Sequence, residues 1–302
     1  MENRTNLLEP EFVRELEVLR RRLEVRARSG AAGERAAPRR GGTAEFQEHR
    51  AYVPGDDLRR VDWLAYARTG EPTVKLFRAE EDVVVRLLVD ASASLKHGDP
   101  SKLEVARRLG AALGYLALAG SQRAQVVVAQ PRADANETIA GGVGRFHSPR
   151  RGKGSLGSLL RDLSLDARGL VDLARAVDQV VQHASRPGLL VVLSDFFDSG
   201  PVTAALGRAR AAGHDVALVQ VLDRLELEPQ LEGDFTLVDC ETQATVDVTA
   251  DADAVEAYLL RLAGLVEELR LWAKRYGATY LRVVTDEPLE LAVRRFVAGS
   301  ID

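Results

Sequence analysis

Val83-Val84-Val85-Arg86-Leu87-Leu88-Val89-Asp90-Ala91-Ser92-Ala93-Ser94 is the stretch whose reading decides the fold. Its first seven residues are apolar except for Arg86, and a near-continuous apolar run is the pattern of a strand covered on both faces. Such strands belong to the centre of a parallel sheet. The run ends on a carboxylate followed by two hydroxyls at alternate positions, and open parallel sheets carry their function at the carboxyl ends of their strands.

Downstream, strand and helix patterns alternate. Lys102 to Ala119 predicts a helix, Gln125 to Ala129 a strand, and Glu137 to Phe146 a weaker strand or hairpin whose glycines favour a bulge. Leu156 to Leu163 and Leu170 to Ala184 predict helices, and Leu189 to Leu193 a second fully apolar strand. A helix over Val202 to Ala212, closed by Gly213, precedes a strand over Asp215 to Leu222. Phe235 to Val238 and Ala244 to Val248 read as an antiparallel hairpin near the sheet edge. A long helix from Asp253 to Tyr276 stops at Gly277, Thr279 to Val284 is the last strand, and Leu289 to Val297 the closing helix. This order predicts an α/β fold with a mostly parallel central sheet and helices on both faces.

Upstream, Phe12, Leu16, Leu19 and Leu23 recur at helical spacing within Glu11 to Arg28, an amphipathic helix that Gly30 and Gly33 end. Pro38 to Thr43 reads as a turn segment. Ala44 to Glu80 lacks helical periodicity and reads as short strands and loops packed onto the main domain. The expected organisation is an N-terminal helix over 1–35, an extension over 36–81 and an α/β domain over 82–302.

Composition narrows the function. The 302 residues are 46% hydrophobic and 28% charged with a net charge of −4, the balance of an ordinary globule without a global basic field to draw nucleic acid. The arginine clusters at 20–22, 39–40 and 150–151 have acidic neighbours and read as solvated faces. One cysteine, Cys240, allows neither an intrachain disulfide nor a cysteine-built zinc site, which points to a reducing compartment. No signal-peptide pattern opens the chain, and the longest apolar stretches fall short of the ~20 residues of a membrane span. A cytoplasmic, soluble protein is the expectation.

At the strand ends, Asp90, Ser92 and Ser94 follow the first central strand, and Ser194 and Asp195, with Asp198 close behind, follow the second. Hard oxygen donors in such a set suit Mg2+ or Mn2+. The plainer reading has the serines capping the following turn and the aspartates accepting backbone N–H groups. Gly152-Lys153-Gly154-Ser155 lacks the spacing of a phosphate loop, and Gly142-Val143-Gly144 lacks the third glycine of a dinucleotide fingerprint. The five histidines are scattered, which suggests surface positions, and neither a nucleophile elbow nor a reactive-cysteine context is present.

The Asp90, Ser92, Ser94 and Asp195 set resembles the metal-ion-dependent adhesion site of Rossmann-like von Willebrand factor A folds. A more specific likeness lies upstream: Glu45-Phe46, Arg50, Tyr52, Pro54-Gly55-Asp56-Asp57-Leu58-Arg59-Arg60-Val61-Asp62-Trp63, Ala67-Arg68 and Glu80. That block resembles the signature of the bacterial domain-of-unknown-function family 58, DUF58, in which it precedes a von Willebrand factor A-like domain. The resemblance runs from about Gly41 to the C-terminal region. It implies a partner as well, since members are commonly encoded beside MoxR-type AAA+ ATPases and are thought to act with them in chaperone-like assembly or metal insertion. Adhesion sites of this type also use a threonine that the family often presents as Gly-Thr-Asp-Leu. Here Leu170-Val171-Asp172-Leu173 stands in its place, Val171 cannot ligate, and Asp172 or Ser155 would have to substitute.

Within the signature block, Asp56, Asp57 and Asp62 interleave with Arg50, Arg59, Arg60 and Arg68, which predicts a guanidinium–carboxylate network. Gly55 permits the turn and Trp63 has a ring to bury against the domain. A structural clamp is the favoured reading over a recognition surface. For the whole chain, a non-enzymatic protein-binding or assembly module ranks first. A metal-dependent hydrolase or phosphatase with Asp90 as nucleophile and Asp195 with Asp198 as ligands ranks below it, because Ser92 fills the place of the acid–base group. A scaffold without metal is the third reading.

Overall fold

The computed structural model describes residues 8–18, 44–79, 83–131, 142–197, 200–230, 233–239 and 244–299. The chain forms two compact units, Arg28–Asp82 and Met1–Ala27 with Val83–Asp302.

In the larger unit, helical residues 10–18 (α1) place Phe12 and Leu16, with Leu8 just before them, in the core. The remainder of the predicted first helix, including Leu19 and Leu23, lies outside the described residues.

The smaller unit is built on an antiparallel pair, Ala44–Ala51 (β1) and Thr73–Ala79 (β2). Between them the chain makes a helix, Trp63–Thr69 (α2), where short strands and loops were expected. Asp62 nucleates it by accepting from the N–H groups of Leu64 and Ala65, and Gly70, left-handed at φ 71°, ends it. Its side chains form no apolar stripe, and no α2 residue is buried, which is why periodicity missed it.

The central sheet runs Thr279–Val284 (β11), Asp215–Leu222 (β8), Leu189–Ser194 (β7), Val84–Asp90 (β3), Arg123–Pro131 (β4) and Gly142–Phe146 (β5), with Arg150–Arg151 (β6) also on β4. Five strands from β11 to β4 are parallel, and β5 and β6 close the β4 edge antiparallel. The expected Rossmann-like von Willebrand factor A architecture is therefore present. The predicted hairpin is a separate two-stranded sheet, Gly233–Val238 (β9) with Thr245–Ala250 (β10), and does not extend the central sheet edge.

Strand residues feed two cores in alternation. Val85, Leu87 and Val89 join α1, Lys102–Ala119 (α3), Leu156–Asp162 (α4) and Leu289–Ala298 (α9) on one face. Leu88, Leu190 and Val192 join Leu173–His183 (α5), Val202–Ala211 (α6) and Ala252–Tyr276 (α8) on the other. Burial on both faces explains why these strands read as apolar runs. Arg86 is buried with them and donates to the carbonyl of Arg186 at 2.9 Å. His214, just before β8, is also buried, against the surface position expected for the histidines; it bonds the Gly188 backbone and feels the Arg86 charge. Among the described residues no helix is long and apolar enough to cross a membrane.

At Gly188, just before β7, the backbone passes close to β3. A Cβ there would stand 2.3 Å from the Val84 carbonyl oxygen and 3.0 Å from the Arg86 guanidinium. Gly188→Ala is expected to lower stability by ~3 kcal/mol, the upper part of the overpacking range, because a backbone atom cannot step aside. Urea denaturation reads this as a shifted midpoint at unchanged slope, and an unshifted midpoint would contradict the packing described.

Candidate functional site

Strand order makes the site. β3 is followed in sequence by β4 on one side, while β7 lies on the other, so the rim between β3 and β7 is a topological switch point. Val89 pairs with Leu193, which sets Asp90 level with Ser194 and brings both predicted strand ends together. One Asp90 oxygen accepts from the Ser92 N–H at 2.8 Å and the other from the Ser194 hydroxyl at 2.6 Å. Ser194 Oγ in turn accepts from the Phe196 N–H at 2.9 Å, and Phe196 holds a left-handed φ of 62° in the bend that follows. Ser92 and Ser94 share a hydroxyl–hydroxyl hydrogen bond of 2.9 Å. The plainer sequence reading was thus right about the aspartates and wrong about Ser92, whose side chain makes no cap bond.

Asp195 points to groups that the sequence did not single out. Its Oδ1 accepts from the Phe197 N–H at 3.1 Å, and its Oδ2 accepts from Lys102 Nζ at 2.7 Å. Lys102 is the first residue of α3, with 1% of its side chain exposed, and it also reaches Glu226 Oε1 at 2.5 Å. Glu226 belongs to a short helix, Arg224–Leu227 (α7), opened by a capping box in which Asp223 and Glu226 each bond the other's backbone region. Asp223 accepts further from the Thr285 hydroxyl at 2.8 Å, beyond the end of β11. The Asp195 carbonyl accepts from Gln220, whose side-chain oxygen accepts from Tyr280 at 2.6 Å. The Asp223-x-x-Glu226 spacing was a legible capping signal. Nothing local in the sequence tied Lys102 to residues 93 and 124 positions away.

The electrostatics follow from this burial. Burial, with repulsion from Asp195, pushes the Asp90 carboxyl up to about 6, against the pull of Ser194 and Ser92. Burial opposes the charge on Lys102, but Asp195 and Glu226 together outweigh it and raise its pKa. The Tyr258 hydroxyl on α8 is raised by burial and then by Glu226, which places α8 beside the same cluster.

A divalent ion of the adhesion type does not fit this donor set as arranged. Both Asp90 oxygens and Asp195 Oδ2 are engaged, and an ammonium already sits on the latter. Val171, at the expected threonine position, is buried in the apolar core. Neither substitute compensates: Asp172 caps α5 through the Arg175 N–H at 2.8 Å, and Ser155 donates to the Arg151 carbonyl at 2.9 Å. Among the described residues no group of three or more His, Cys, Asp or Glu side chains could hold a metal ion. Asp198 lies outside the described residues.

The signature block has a different network from the one its charges suggested. Arg50 pairs with Asp56 at 2.8 Å, and Asp56 also accepts from the Val53 N–H across the turn that Gly55 makes at φ 110°. Tyr52 bonds through its backbone to Pro72 at 2.9 Å. Asp57 caps its own turn through the Arg59 N–H at 3.0 Å. Asp62 is held by His49 at 3.0 Å and Lys75 at 3.1 Å, where an arginine was expected. The Ala65 N–H, then His49 and Lys75, keep its carboxyl well below the usual range. Trp63 is 58% exposed and stands edge-on to Tyr66 at 6.2 Å. Leu58 and Leu64 are exposed as well.

Comparison with known proteins agrees with the signature. Residues 48–263 match the family described as "Protein of unknown function DUF58". The uncharacterized protein Rv1480 of Mycobacterium tuberculosis is 31% identical over 265 residues, spanning 85% of this chain and 79% of that one. The uncharacterized protein Mb1516 of Mycobacterium bovis matches with the same identity and coverage. Among solved structures, the conserved hypothetical protein BatB from Bacteroides thetaiotaomicron is 16% identical with a TM-score of 0.44, covering 72% of this chain and 100% of that one.

A raised Asp90 has a definite sign in stability. Between the ordinary carboxylate range near pH ~4 and pH ~6 the folded chain keeps a proton that the unfolded chain has released, so this contribution is full at low pH and lost as pH rises through about 6. Asp90→Asn cannot ionise. Its stability relative to the wild type is expected to grow between pH ~4 and ~7, by at most ~3 kcal/mol. Urea denaturation across that range checks this, and a pH-independent difference would contradict it.

Proposed function

The chain belongs to the DUF58 family, and from that premise we propose that it is a protein-binding module whose partner docks on the carboxyl-end rim of the central sheet. The observation that carries this reading is Phe197. It follows Asp195, stays 39% exposed, and lies 5.0 Å from the Lys102 ammonium, so a large aromatic ring is presented at the rim over a fixed charge. Exposed aromatics on a rigid, hydrogen-bonded support are the residues that dominate binding energy at interfaces. A cavity beside the rim, lined by Phe196, Val202, Thr203, Leu265, Glu268 and Leu269, holds about 70 Å3, against the ~300 Å3 or more of small-molecule sites.

The partner we propose is a MoxR-type AAA+ ATPase, with the chain acting in chaperone-like complex assembly. The support is the family's signature block, which in this chain adds a second exposed apolar surface: Leu58, Trp63, Leu64, 78% exposed, and Tyr66. Phosphatase-type chemistry has less support, since both Asp90 oxygens are committed to hydrogen bonds and Ser92 stands where an acid–base carboxyl is wanted.

Affinity capture of a MoxR-type ATPase from the same genome tests the proposal, with Phe197→Ala and Trp63→Ala as variants. Both side chains are substantially exposed, so thermal unfolding is expected to change little while capture weakens ~30-fold for a rim hot spot. No capture by the wild type, or capture indifferent to both changes, would favour the scaffold reading instead.

A further inference from the structure

We propose that Lys102 is a built-in cation that takes the place of a divalent ion at the strand-end rim, so that the site is complete without metal. The inference concerns the ion content of the chain alone and stands whether or not the partner reading holds.

Three observations converge on it. The first is position: Lys102 Nζ lies 2.7 Å from Asp195 Oδ2, the carboxylate that an adhesion-type ion would use. A divalent cation drawing on Asp195 would face that ammonium across one carboxylate, in a site from which water is excluded, and like charges at such range exclude each other. The second is that the lysine is placed rather than incidental. Ser101 fixes the start of α3 by accepting from the Glu104 N–H, which sets Lys102 at the first helical position with its stem buried. From the opposite side Glu226 is held by the Asp223 capping box, and Asp223 by Thr285. Two carboxylates and the face of Phe197 thus surround one ammonium. The third is the missing ligand: Val171 offers carbon where an oxygen donor is needed, and Asp172 and Ser155 bond elsewhere.

The arrangement also states what the lysine does. Asp195 turns its backbone carbonyl to Gln220 and its carboxylate to Lys102, so the bend after β7 is fixed by protein groups alone. In a metal site the ion would do that work, and its removal would loosen the bend. Here the fixing charge cannot dissociate.

The test has two arms, both on the full chain. In the first, Mn2+ is titrated into the wild type and followed by the loss of its free-ion spin resonance signal, and unfolding is recorded with Mn2+ and with EDTA. The expected result is no saturable binding below ~1 mM and the same Tm in both. Saturable binding that Asp90→Asn abolishes would overturn the proposal. In the second, Lys102→Gln leaves Asp195 and Glu226 without their counter-charge. Its Tm is expected to fall by at least ~4 °C, because two carboxylates lose the ammonium between them. A variant as stable as the wild type would overturn it too, and if the variant does not fold, the wild-type titration alone decides.

Discussion

One buried ion pair organises the functional end of this molecule. Lys102, from the start of α3, holds Asp195, just after β7, and Glu226, in α7. A buried ammonium is tolerated only when carboxylates meet it, and a buried carboxylate only when charge or N–H groups meet it, so each of these elements fixes the position of the others. The network runs on through Asp223 to Thr285 and through Gln220 to Tyr280, which reaches the far edge strand β11. On the other side Ser194 ties Asp90 to β7. At this rim the buried side chains of Asp90, Lys102, Ser194, Asp195 and Gln220 are bonded largely to one another and to nearby backbone.

That economy shapes what the rim offers. Most of its polar capacity is consumed internally, and the side chain left facing solvent over it is aromatic. A surface held in place by its own bonds loses little entropy when a partner covers it. In the smaller unit the signature block repeats the theme: Asp56, Asp57 and Asp62 are spent on turns, caps and local pairs, while Leu58, Trp63 and Leu64 stay exposed. A sequence signature of charges and a tryptophan thus builds a display of apolar groups on a charged frame.

Much of this was legible from residue patterns. The apolar runs at Val83–Val89 and Leu189–Leu193 marked β3 and β7 because both faces of those strands are covered, and the neighbouring placement of those strands sets Asp90 beside Ser194. Trp63–Thr69 escaped because a helix without a buried face leaves no apolar period, and only the Asp62 cap and Gly70 announced it. Scattered spacing suggests surface histidines, yet His214 is buried near Arg86 and bonded to the Gly188 backbone, a long-range relation that spacing does not carry. Lys102 was missed for the same reason: its partners lie on elements that meet it only once the sheet is ordered. The adhesion-type pattern was visible as a string of letters, but the charge that completes it lay outside the string.

The central claim is that an ammonium, and not a metal ion, neutralises Asp195. The most direct measurement is a crystal structure of the full chain grown in excess Mn2+, with data collected at the manganese absorption edge. The account expects Lys102 Nζ against Asp195 and no anomalous density among Asp90, Ser92, Ser94 and Asp195. A strong anomalous peak ligated by those oxygens, with the lysine turned away, would contradict it.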